Sequence, residues 1–155
     1  MEFENLKAVI DFAIEKEKEA ADFYEAASEE ESMSGVREMF KEFSQEERKH
    51  QAMLEKLETD GIDKGISEYK FKWITDLKRS DYVLDTEYKK GMGYNDILMV
   101  AIKREEKALK LYNALQEKSE PEDMKKLFKV LCQEEAKHKN NLETLYDDYM
   151  AEMGD

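Results

Sequence analysis

One pattern occurs twice in this chain, and it uses both histidines that the chain contains. His50 closes Glu47-x-x-His50 and His138 closes Glu135-x-x-His138, an offset of 88 residues. At the same offset Glu17 matches Glu105 and Tyr24 matches Tyr112. The correspondence runs without a gap from about Ile10/Leu98 to Leu57/Leu145. Ala13, Ile14, Ala20, Ala26 and Glu29 return as Ala101, Ile102, Ala108, Ala114 and Glu117, and Phe40-Lys41 as Phe128-Lys129. A duplicated helical hairpin accounts for this, since two copies are too few for a solenoid, which needs at least three.

A single proline, Pro121, interrupts a chain dominated by Ala, Leu, Glu, Lys and Met, so four long helices are expected. The first runs from about Glu4 to Glu30, with Ile10, Ala13, Ile14, Glu17, Ala20, Ala21 and Tyr24 facing inward. The second runs from Ser34 to about Gly61, a C-terminal stop, with Val36, Met39, Phe40, Phe43, Glu47, His50, Leu54 and Leu57 inward. Asn95 or Asp96 caps the third, which runs to about Lys118 with Leu98, Ala101, Ile102, Glu105, Ala108, Leu109, Tyr112 and Leu115 inward. Ser119 or Glu120, ahead of Pro121, opens the fourth, which continues to about Tyr149. Its inward positions are Met124, Leu127, Phe128, Leu131, Glu135, His138, Leu142 and Leu145.

The expected organisation is one domain, 1–155, with hairpins at 4–60 and 95–149. The crossover, 61–94, holds the only tryptophan, Trp73. A connection of that length is expected to carry a short helix, at Ser67 to Lys78. Four-helix bundles accommodate one such long crossover.

The repeated residues are chemically specific. Residues three apart on a helix share a face, with Cβ atoms about 5–6 Å apart, so Glu47 with His50, and Glu135 with His138, can reach one ion. Glu17 and Glu105 lie within apolar stripes, where a lone ionised carboxylate would be costly. If the four stripes face one another, these six groups meet and a positive charge is required among them. Oxygen and imidazole donors suit iron or manganese, and zinc fits on ligand type. Four carboxylates balance two divalent ions. Tyr24 and Tyr112, two turns beyond Glu17 and Glu105, read either as core tyrosines or as hydrogen-bond donors to a metal-bridging carboxylate. Cys132, one turn before Glu135 where the first copy has Ser44, reads as a buried inert thiol.

Other classes fall away on composition. A formal net charge of −13 argues against nucleic acid, which needs clustered Lys and Arg to displace counterions. One cysteine allows neither an intrachain disulfide nor a Cys-x-x-Cys centre. The start, Met1-Glu-Phe-Glu-Asn, lacks a basic signal region, and no apolar run approaches a membrane span, so a soluble cytoplasmic protein is expected.

A Glu from each of two helices and a Glu-x-x-His from each of the other two resemble the ferritin-like di-iron carboxylate superfamily, and within it the rubrerythrins. The resemblance covers about residues 4–60 and 95–149. It implies an all-α, ferritin-like four-helix bundle of two repeated hairpins joined by a long crossover, holding two iron ions. It makes Glu17 and Glu105 terminal ligands, Glu47 and Glu135 bridges, and His50 and His138 caps, with Tyr24 and Tyr112 holding the carboxylates. The implied activity is an oxidoreductase reducing hydrogen peroxide or dioxygen in a homodimer. The alternatives are an iron-binding ferroxidase for storage or transfer, or a metal-dependent sensor or binding module. Two departures stand out. Rubrerythrins usually carry a further glutamate where this chain has Ala108, mirrored by Ala20, which weakens the case for peroxidase activity. They also commonly append a rubredoxin domain with paired Cys-x-x-Cys, and this chain, with its single cysteine, shows no such segment before Asp155. The electron donor is therefore expected to be a separate protein such as a rubredoxin.

Overall fold

A computed structural model describes residues 3, 5–31, 33–60, 77–84, 88–119 and 122–154. Four α-helices account for most of them: α1 (Leu6–Glu30), α2 (Ser34–Asp60), α3 (Tyr94–Lys118) and α4 (Glu122–Gly154). A short 3₁₀ turn, Arg79–Tyr82, lies between α2 and α3. The expected crossover helix falls almost wholly outside the described residues.

The helix ends follow local chemistry. Asn5 caps α1, its Oδ1 accepting the Ala8 backbone N–H at 2.8 Å and satisfying one of the donors the first turn leaves over. The expected caps of α3 are corrected by two positions or three. Gly93 is the N-cap, its carbonyl accepting from the Ile97 N–H at 3.0 Å, while Asn95 and Asp96 lie inside the first turn. Asp96 there sits well against the positive end of the helix dipole. Just before, the Met92 N–H closes a turn onto the Lys89 carbonyl at 3.1 Å with Gly91 at φ 91°, a conformation that glycine reaches without penalty. Ser119 caps the C-terminus of α3 rather than opening the next helix, donating its N–H to the Leu115 carbonyl at 3.0 Å. The fourth helix runs to Gly154, past the expected end at Tyr149.

The chain divides into two units, Met1–Ser80 and Asp81–Asp155. In the first, α1 packs against α2, and in the second α3 packs against α4. Their cores repeat each other. Tyr24 stacks on Phe40 at 6.0 Å between ring centroids and meets Phe43 edge-on at 5.3 Å, and Tyr112 stacks on Phe128 at 6.4 Å. Most expected inward positions are buried, but Ile14, Val36, Met39, Leu57, Ala108, Leu109, Leu127 and Leu145 are only partly so. They lie at the margins of the stripes.

Sequence periodicity missed a second buried face on α1 and on α3. Val9, Phe12 and Phe23 are buried on α1, as are Ile97, Val100 and Leu111 on α3. Phe12 is met edge-on by Phe3 at 5.2 Å, and the Arg79 guanidinium lies 5.0 Å from its ring centre. On α3, Lys107 donates to the Asp81 carbonyl at 3.1 Å and the Lys110 ammonium lies 6.0 Å from the buried Tyr82 ring.

Candidate metal centre

Each hairpin brings a buried triad together. In the first, the His50 imidazole Nδ1 stands 3.5 Å from Glu17 Oε2 and 3.8 Å from Glu47 Oε1. One ligand atom from each of the three lies within 4.8 Å of the other two. In the second, His138 Nδ1 is 3.6 Å from Glu105 Oε1, and Glu105, Glu135 and His138 meet the same 4.8 Å limit. The Glu-x-x-His spacing accounts for two members of each triad. The third comes from the facing helix, so it depends on how the two helices register against each other.

Burial makes these groups unusual. Glu17, Glu47, Glu105 and Glu135 are at most 2% exposed, and so are His50 and His138. Carboxylates withdrawn this far from water are normally compensated by a cation or a dense hydrogen-bond network. Donors that share one ion at about 2.1 Å lie at most about 4.2 Å apart. Side-chain shifts of well under 1 Å would therefore let each triad close on an ion. Oxygen with imidazole nitrogen is a donor set that iron accepts readily.

Tyr24 and Tyr112, expected beside the carboxylates, are both buried, at 0% and 2% exposure, on the same helix faces as Glu17 and Glu105. Cys132 is also buried, its Sγ donating to Asn113 Oδ1 at 3.4 Å. Burial, reinforced by the charges of Glu135 and then Glu117, pushes its thiol up to about 11, as an inert core cysteine requires. Sequence reasoning gave Ser44 no role beyond matching Cys132. Its hydroxyl donates to the Ala21 carbonyl at 2.9 Å and so joins α2 to α1 beside the first triad. The available signal was its position, one turn before Glu47 on the same face.

Similarity to known proteins agrees with this geometry. The rubrerythrin family model matches residues 2–58 and 96–154, the two hairpins and all six residues of both triads. A hypothetical protein from Pyrococcus furiosus has a similar structure, with a TM-score of 0.70 at 23% identity, covering 95% of this chain and 94% of its own. No curated protein matches. The fold is thus all-α, a ferritin-like four-helix bundle of two repeated hairpins. A rubrerythrin domain carrying two buried Glu/His triads supports a di-metal protein. With the family model spanning both repeats, the chain belongs to the rubrerythrin family.

Proposed function

We propose that the two triads serve a pair of iron ions and that the loaded protein is an oxidoreductase reducing hydrogen peroxide or dioxygen. The observation that carries this reading is the repetition of one buried Glu, Glu, His triad in each hairpin. In this reading Glu17, Glu47 and His50 would hold one ion, and Glu105, Glu135 and His138 would hold the other. A ferrous pair bound there would supply the two electrons that O–O bond reduction needs. The protein's own residues do the rest. Carboxylates offset the cationic charge, and the buried rings of Phe40, Phe43 and Phe128 keep bulk water away. The Tyr24 and Tyr112 hydroxyls would orient the triad carboxylates. Electrons for further cycles come from a separate donor protein of the rubredoxin kind.

Anaerobic loading with ferrous iron, followed by metal analysis and rapid mixing with peroxide or dioxygen, tests this reading. Two irons per chain are expected, with one peroxide consumed per two ferrous ions oxidised and turnover sustained by an added one-electron donor. Net accumulation of iron beyond two per chain would replace it with iron storage. A bound metal that reacts with neither oxidant would replace it with a structural or sensing role.

A further inference from the structure

Ser44 and Cys132 hold equivalent places in the two repeats, each one turn before the Glu of its Glu-x-x-His. Their bonds differ. Ser44 Oγ donates to the Ala21 backbone carbonyl at 2.9 Å, with Ser44 7% and Ala21 0% exposed. Ala21 lies one turn beyond Glu17, so this bond ties the two ligand-bearing helices together at the level of the triad. Cys132 donates instead to the side chain of exposed Asn113, at 3.4 Å. A thiol is a weak donor, and an amide side chain that can turn about its own bonds does not fix the α3 backbone.

One outer link differs in the same sense. Arg48 Nη2 donates to Asp22 Oδ1 at 3.0 Å and to Glu25 Oε2 at 2.9 Å, a second link from α2 to α1. The corresponding residues of the second repeat are Ala136, Lys110 and Asn113, which cannot form that link.

We propose that the two half-sites are unequal. Ser44 is a positioning residue that pre-sets the Glu17, Glu47 and His50 triad, so that the first hairpin retains its ion while the second hairpin's ion exchanges. This inference rests on the di-metal reading above. Ligands already held in place lose less freedom on binding, and that advantage appears chiefly as slower release. One net hydrogen bond corresponds to roughly a two- to tenfold change in an equilibrium constant.

The test uses the full chain loaded with Co²⁺, a redox-silent probe, and chased with excess EDTA while the visible absorption of the bound ion is followed. Release in two phases of one ion each is expected, with rates at least roughly twofold apart. Glu17→Gln should abolish the slow phase and Glu105→Gln the fast one. Ser44→Cys and Ser44→Ala should each speed the slow phase toward the fast one, and Cys132→Ser, which offers a hydroxyl opposite the Leu109 carbonyl, should slow the fast phase. A purely structural role would lower the melting temperature of the Ser44 variants without changing the ratio of the phases. That result, or a single release rate in the wild type, would overturn the inequality. Fewer than two Co²⁺ bound at saturation in the wild type would instead overturn the di-metal reading itself.

Discussion

Replacing Glu47 with glutamine should stabilise the metal-free protein and weaken the metal-loaded one. The substitution keeps the side-chain volume and removes one charge from a triad in which Glu17 and Glu47 are 2% and 1% exposed. Their ligand atoms are no more than 4.8 Å apart. Two unit charges at that distance, with the effective dielectric of about 20 that suits protein sites, repel by about 3.5 kcal/mol. Counter-ions and side-chain relaxation relieve part of this in the metal-free protein, and taking half leaves about 1.5–2 kcal/mol. For a chain of this length each kcal/mol moves the midpoint by about 2–4 °C, so the metal-free variant should melt about 3–8 °C above the wild type. The loaded comparison should reverse. An ion present at a hundred times its dissociation constant contributes about 2.7 kcal/mol to the folded state, and losing a ligand removes much of that. Scanning calorimetry of chelated and Co²⁺-loaded samples measures both effects, with exposed Glu55→Gln as the control that moves neither. A metal-free Glu47→Gln that melts below the wild type, with the loaded protein unaffected, would show that Glu47 is a hydrogen-bonding core residue and not a ligand.

Phe40→Ala and Phe128→Ala each remove a ring that is 0% exposed and stacked on a core tyrosine, so each should cost about 3–5 kcal/mol in urea unfolding with little change in denaturant slope. With its thiol pushed up to about 11, Cys132 should be only about one part in a thousand thiolate at pH 8 in the folded protein. Iodoacetamide should therefore label it far more slowly in buffer than in denaturant, and equal rates would contradict its burial. Ala108→Glu, which places a carboxylate on α3 one turn beyond Glu105, should raise the rate at which peroxide oxidises the diferrous protein relative to dioxygen. An unchanged ratio in stopped-flow mixing would mean that this position plays no part in choosing the oxidant.

What the sequence determined by itself was whatever depends on neighbours along the chain. The 88-residue repeat, the four helices and the pairing of Glu47 with His50 follow from spacing, because residues three apart share a face whatever packs against it. Composition also limited the candidate ligands to carboxylates and imidazoles, since the chain has two histidines and one cysteine. Tertiary structure decided the rest. That Glu17 comes within 3.5 Å of His50 depends on the register of α1 against α2, which no local pattern encodes. The same register puts Ser44 against the Ala21 carbonyl, and the register of α3 against α4 leaves Cys132 with Asn113. Burial of Val9, Phe12 and Phe23 beyond the main stripe of α1 was illegible for a related reason. An apolar residue off the stripe reads the same whether solvent or another segment covers it, and only packing distinguishes the two. The caps of α3 erred because Gly93, Asn95, Asp96 and Ser119 are all acceptable end residues, and the choice among them falls to the backbone hydrogen bonds that the folded chain completes.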